Sequence, residues 1–328
     1  MRRLERFIFA PEDARRLAAV RAGLCGLLAW RLASGDFTFV ADQPAALFQP
    51  VSFMKLLPEM PSHGLAVTLQ VAGVAAALLA AAGLWMRLSL PVAFACALVL
   101  NGMLNSTGKI VHNDVLLLLC LVPLLAAPGS AGAAWRLSRP SGWVSRQGGL
   151  IGRVAPVRSR PLGRDQRREV GEPIRGEAYG WPIRTAMVVV ALAYFFVGLQ
   201  KLRFSGLDWV TSDNLRWVLY ASSDSQAEPN ALALFVADRA WLAHLLAAGT
   251  VFVELCFPLA LLVPRLRWLL VPAVVSLHLG IWLAMGLDYS AQALTVIIVF
   301  VDWPLVVDWV RRRAPAIAAS PRAERARG

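Results

Sequence analysis

A chain of 328 residues that is 57% hydrophobic and only 16% charged, with a mean hydropathy of +0.56, is too apolar for an ordinary soluble domain, where about a quarter of residues are charged. It reads as an all-α, polytopic membrane helical bundle. The net charge of +12 would suit nucleic acid, but the arginines lie beside apolar runs without interleaved aromatics, so no nucleic acid is expected and anionic membrane lipids are the expected partner.

A membrane-spanning helix needs roughly 20 mostly apolar residues to cross about 30 Å of hydrocarbon. Apolar runs between charged or Pro/Gly-rich breaks fall at 17–33, 65–85, 88–106, 113–128, 182–202, 240–263, 267–287 and 289–309. These predict about eight transmembrane helices, the fourth a short one with its core between Val115 and Ala127. Lys and Arg accumulate on cytoplasmic segments. Placing the N-terminus inside puts Arg2, Arg3, Arg6, Arg15, Arg16, Arg87, ten arginines from Arg136 to Arg175, Arg265, Arg267 and Arg311 to Arg313 on that side. The outer side then receives only Lys55, Lys109, Lys201, Arg203, Arg216 and Arg239. Both termini are therefore expected in the cytoplasm, with the protein in a bacterial inner membrane. The expected organisation is a first transmembrane half over 1–128, a basic linker over 129–181 whose composition favours disorder, a second half over 182–310 and a basic tail over 311–328.

In chain order, Pro11-Glu12-Asp13 resembles a helix start, with proline and acids in the first turn. The first span is expected to be retained, since no small-residue cleavage pattern follows it. Arg21 and Arg31 lie near its two ends and read as snorkelling side chains, with Arg21 also a candidate partner for a buried carboxylate. The outer loop from Ser34 to His63, with Phe37, Phe39, Phe48, Phe53 and four prolines, suggests an ordered interfacial cap. Asn101, Asn105, Ser106 and Thr107 face Lys109-Ile110-Val111-His112-Asn113-Asp114 across the next turn, a polar cluster at membrane depth in which Asn113 or Asp114 is expected to cap the following helix. Cys25, Cys96, Cys120 and Cys256 all fall in apolar runs and read as core residues.

The second half opens on Tyr194-Phe195-Phe196-Val197-Gly198-Leu199-Gln200-Lys201-Leu202, followed by Arg203 to Trp209. A lysine where an apolar helix meets an aromatic loop is either a snorkelling anchor or an amine made neutral by desolvation among Tyr194, Phe195, Phe204 and Trp209 and so able to act as a general base. Gly198 and Gly206 would let a backbone or ligand approach. Asp208 to Tyr220 reads as one capped helix. Glu254, in Val-Phe-Val-Glu-Leu-Cys, lies about 13 residues from the outer end of its span, hence some 20 Å deep at 1.5 Å per residue. Arg21 lies at comparable depth, so a structural Arg21–Glu254 ion pair is the plainest expectation for both. His278 sits mid-span, and without a paired-histidine box no metal is expected.

Several of these segments, in the same order, resemble the vitamin K-dependent gamma-carboxylase and its bacterial relatives with a horizontally transferred transmembrane (HTTM) domain. The matching stretches are Pro11 to Arg21, Val111-His112-Asn113-Asp114 with its leucine run, Tyr194 to Leu202 followed by Asp208-Trp209-Val210, and the positions of Glu254 and His278. Of these, the Lys201 segment is the most specific. The resemblance implies a membrane-embedded quinol epoxidase or carboxylase-like lyase, with reduced vitamin K or a related quinol as cofactor. It makes Lys201 the catalytic base and His112 its assistant, with Asn113, Tyr194, Asp208, Trp209 and His278 around the substrate at the extracytoplasmic face. Two departures limit what carries over. The sequence lacks the large extramembrane region that holds the animal enzyme's peptide substrate, so glutamate carboxylation is not expected, and His112 precedes its asparagine where the family's histidine follows one. From a different class, a non-enzymatic bundle, such as a small transporter subunit or an assembly partner, would use Lys201 only as an anchor.

Overall fold

The computed structural model describes residues 2–109, 111–128 and 175–318, so most of the expected basic linker and the last ten residues lie outside the described residues. The regular structure of the described residues is helical apart from one ribbon of two paired two-residue strands. All eight apolar runs are helices, though not all are long. They are α2 (Ala14–Ser34), α4 (His63–Ala81), α5 (Met86–Asn105), α6 (Val115–Leu125), α7 (Glu177–Ser205), α11 (Ala240–Cys256) with α12 (Leu259–Leu262), α13 (Arg267–Met285), and α14 (Ser290–Phe300) continuing into α15 (Trp303–Ala318). Shorter pieces connect them: α1 (Arg2–Ile8), α3 (Phe37–Ala41), α8 (Asp208–Thr211), α9 (Asn214–Asp224) and α10 (Ala231–Ala237).

Five helical segments are individually long and apolar enough to cross a membrane, and the number rises to seven if two bent pairs each count once. Those bends are sharp, 99° between α10 and α11 and 78° between α14 and α15. With only 11 residues, α6 reaches about 16 Å at 1.5 Å per residue, half a typical hydrocarbon core. The outward faces carry exposed large apolar side chains such as Leu78, Leu88, Phe252, Leu262 and Trp268, a surface that suits lipid and would be a liability in water.

Local chemistry explains the helix limits. The Asp13 carboxylate accepts from the Arg15 amide at 2.8 Å and starts α2, as the sequence suggested. Glu12–Asp13 also pairs antiparallel with Arg175–Gly176, which ties the start of α2 to the start of α7. That helix begins at Glu177, five residues ahead of the sequence boundary at 182, and carries Pro182 inside it. Asp208 to Tyr220 is broken into two helices: α8 ends at Thr211, and α9 starts at Asn214 without a side-chain cap. Asp114 likewise makes no capping bond at α6, and neither does Asn113; both side chains are used elsewhere.

One buried cluster runs through both sequence halves. It joins Leu17, Leu24 and Leu28 of α2 with Ala77 of α4, Ala97 and Leu100 of α5, Leu117 and Leu121 of α6, Ile183, Met187 and Val190 of α7, and Val296 and Val299 of α14. Small residues set the spacing. A Cβ on Gly73 would stand 3.0 Å from both Leu32 and Cys96, so α2, α4 and α5 approach as closely as their backbones allow. The Phe37–Leu56 segment closes one end as an ordered cap: Phe37 and Met54 are buried, and the Gln49 amide donates to the Ser106 carbonyl at 2.8 Å. A separate small cluster of Leu219, Ala233, Val236, Ala237 and Ala243 packs α9 and α10 onto the first turns of α11.

Gly180 shows how tightly the ribbon seats against α7. A Cβ there would fall 2.1 Å from the Ala10 carbonyl oxygen, a backbone atom that no rotamer change can move. Replacing a mid-helix glycine by alanine gains up to about 1 kcal/mol in propensity, whereas overpacking costs typically 1–3 kcal/mol. Gly180→Ala is therefore expected to lower the melting temperature of the detergent-solubilised protein, measured by tryptophan fluorescence; an unchanged or raised value would show that the ribbon does not seat there.

Candidate functional site

The Lys201 site is built from one stripe of α7. Tyr194, Gly198 and Lys201 are spaced by four and three residues and so share a face, and that face meets α11. A Cβ on Gly198 would lie 2.9 Å from the Glu254 Cβ, so the glycine lets α11 close onto α7 and brings Glu254 level with the lysine. Lys201 Nζ donates to Glu254 Oε1 at 2.5 Å. Both side chains are largely withdrawn from solvent, at 17% and 6% exposure. The second oxygen of the carboxylate, Oε2, is buried and has no hydrogen-bond partner among the described residues. Gly206, at φ +59°, reverses the chain after α7, and α8 then lays the Trp209 ring 5.4 Å from the ammonium, within cation–π range.

The expected Arg21–Glu254 ion pair is not formed. Arg21 is buried and donates through Nη1 to the Pro128 carbonyl at 2.8 Å, while Glu254 takes Lys201. Glu254, well along α11, meets Lys201 near the end of α7. The first turns of α11 are packed against α9 and α10. The desolvating aromatic cage is also smaller than expected: Phe204 is 79% exposed, which leaves Trp209 as the aromatic ring set against the ammonium.

One turn below Gly198, the Tyr194 hydroxyl stands 2.6 Å from His278 Nε2. Both residues are buried, and Phe257 packs against the tyrosine at 5.0 Å between centroids. The other imidazole nitrogen, Nδ1, is buried without a partner among the described residues. Tyr289 links this pair outward, with its ring 5.7 Å from His278 and 5.7 Å from His112. His112 is exposed, and its carbonyl accepts from Gln292 at 3.2 Å. It therefore borders the site through Tyr289. Asn113 donates to the Asp288 carbonyl at 2.8 Å, positioning the loop that carries Tyr289. Asp208 is exposed, and its carbonyl accepts from Ser212 at 2.6 Å; its carboxylate makes no hydrogen bond among the described residues. Of the sequence candidates, the fold thus gathers Lys201, Glu254 and Trp209, and beside them Tyr194 and His278, with His112 and Asn113 at the edge and Asp208 outside.

The residues the sequence reading missed form the clasp over this edge. Arg31 donates through Nε to Asp114 and through Nη1 to Asp288, each at 2.7 Å, and so joins the end of α2 to the starts of α6 and α14. A charge at the end of an apolar run is a snorkelling signal on its own; only the facing acids identify it as a bridge. Partial burial pushes the Asp288 carboxyl up, but the hydrogen bonds from Ser290 and Arg31 and the charge of Arg31 outweigh it and hold the group below the usual aspartate range.

Comparison of the chain with protein-family models, curated proteins and solved structures finds no match in any of the three.

A carboxyl whose folded pKa is depressed stabilises the fold above its unfolded value, about 3.9 for aspartate, and that contribution is lost as pH falls through the folded pKa. Melting temperature should therefore drop more steeply below about pH 4 in the wild type than in Asp288→Asn; parallel profiles would remove the clasp from the account. Gly198→Ala is expected to push α11 outward and to lower the melting temperature as Glu254→Gln does, with less than additive loss in the double variant; full additivity would separate Gly198 from the ion pair.

Proposed function

We propose that this protein is a membrane-embedded, HTTM or gamma-carboxylase-like quinol-oxidising protein that uses Lys201 as general base. In this reading it has about eight spans and both termini in the cytoplasm, with the Lys201 site facing the extracytoplasmic side of a bacterial inner membrane. The observation that carries the proposal is the Lys201–Glu254 contact, whose acceptor Glu254 Oε2 is unused among the described residues, with the Tyr194–His278 pair, which leaves His278 Nδ1 unused, on the same stripe of α7. Structural ion pairs inside a protein are stable only when the remaining polar atoms are satisfied. Two unsatisfied buried groups next to aromatic faces fit a ring that carries hydroxyl groups.

The pair alters how a lysine base would work. Glu254 Oε1, at hydrogen-bond distance from Nζ, is placed to take a proton from the ammonium. Passing one ammonium proton to Glu254 Oε1 converts the ion pair to an amine and a carboxylic acid with no change in net charge. Lys201 Nζ then accepts a proton from a bound hydroxyl and ends as ammonium, while Glu254 keeps the first proton. Trp209 stabilises the ammonium form at the end of that transfer. A reduced quinone bound here would supply the acidic hydroxyl and the electrons for oxygen. Tyr194 and His278 would orient it, Asn113 would hold the Tyr289 loop, and His112 would act at the edge. Coupled glutamate carboxylation is not part of the proposal.

The closed contact itself favours a second reading, a non-enzymatic bundle in which Lys201 and Glu254 clamp α7 to α11. Substitution of the lysine separates the two. If Lys201 is a base, oxygen-dependent epoxidation of a reduced naphthoquinone by the purified protein falls by about 10² or more in Lys201→Met. It also falls in Lys201→Arg, because guanidinium does not give up its proton. Equal rates in the wild type and Lys201→Met, or no turnover in any form together with a wild-type melting temperature for Lys201→Arg, would leave the clamp.

A further inference from the structure

A second group of buried charges lies 17 residues before Lys201 on α7, about 25 Å along the helix, and nothing in the Lys201 chemistry uses it. Here α2, α7 and α13 all begin. Glu12 Oε2 accepts from Arg16 Nη1 at 2.8 Å and from Arg184 Nη2 at 3.1 Å, so one carboxylate oxygen serves two guanidinium groups. Arg16 is 5% exposed. Among the described residues its Nε and Nη2, and Nε of Arg184, are buried with no acceptor. Arg267 donates to the Ala260 carbonyl at 2.8 Å and feels the positive charge of both Arg16 and Arg184.

Among the described residues, the local acids do not balance these charges. Asp13 is engaged by Arg15, which donates to it through Nε and Nη2 at 2.9 and 2.8 Å, and Asp302 acts on Arg267 only at longer range. Among the described residues, one contacting carboxylate thus serves both Arg16 and Arg184, with the charge of Arg267 nearby. Leaving buried guanidinium donors unpaired costs free energy. A phosphate group has the oxygens to accept from several arginines at once, and basic pockets between membrane helices take anionic headgroups in this way.

We propose that Arg16, Arg184 and Arg267 form a binding site for a phosphate-bearing anion, the headgroup of an anionic phospholipid or free phosphate, that locks together the starts of α2, α7 and α13. The site rests on the membrane-bundle reading of the chain and is independent of Lys201. Its test reads melting temperature rather than turnover, so either proposal can fail alone.

The full chain is placed in nanodiscs of phosphatidylcholine alone or with phosphatidylglycerol, and inorganic phosphate is titrated into the first. A headgroup site raises the melting temperature by about 4–8 °C with phosphatidylglycerol. That rise should disappear in Arg16→Gln and in Arg267→Gln and persist in Arg311→Gln, which removes an exposed charge outside the cluster. A rise with inorganic phosphate alone, lost in the same two variants, supports the site with a soluble ligand. Arg267→Gln leaves the Glu12 contacts intact and keeps the test valid should Arg16→Gln fail to fold. No shift with either ligand, or a shift equal in all three variants, would overturn the proposal.

Discussion

The second half of this bundle depends on how one carboxylate is satisfied. Glu254 lies on an apolar helix with 4% of its surface exposed, and a lone charge in that setting costs several kcal/mol. Lys201 answers it because Gly198, one turn earlier, lets α11 approach to contact distance. From that contact follow the placement of α8, whose Trp209 covers the ammonium, and of Phe257, which lies just past the end of α11 and packs on Tyr194. The Tyr194–His278 pair then fixes α13 against the same face of α7.

Polar interactions divide the molecule into three levels. At the level of Lys201, a buried ion pair and a tyrosine–histidine pair sit side by side, each with one unused buried atom. Beyond them, Arg31 gathers Asp114 and Asp288 and holds the loop bearing Tyr289. At the far end, Glu12 is shared by Arg16 and Arg184. Between these levels the core is leucine, alanine and valine, which pack without directional demands. The charged contacts therefore do much to set the register between helices, since a slip of one residue along α7 would turn Lys201 away from Glu254.

Much of the architecture was legible in the sequence, because a chain in lipid must satisfy its backbone internally and long apolar runs then have to be helices. All eight runs are helical for that reason. The ordered cap over Phe37–Leu56 was also readable from its prolines and phenylalanines, and the Lys201 stretch from a charge placed among glycines and aromatics. The partner of Glu254 was not. Sequence spacing measures depth only along a straight helix, whereas α10 meets α11 at 99° and the first turns of α11 belong to a separate cluster. The bridging role of Arg31 is hidden in the sequence for a related reason: its acids are 83 and 257 residues away, and no local pattern marks such a bridge. Asn113 and Asp114 had a plausible local use as caps, but tertiary partners, the Asp288 carbonyl and Arg31, claimed both side chains.

The central claim, that Lys201 and Glu254 form one coupled unit, is tested most directly by a double-mutant cycle on unfolding free energy with Lys201→Met, Glu254→Gln and the double variant. Direct contact predicts a coupling energy of about 1–3 kcal/mol, because either single change strands a buried partner. Additive losses would contradict it and return Lys201 to the role of a surface anchor.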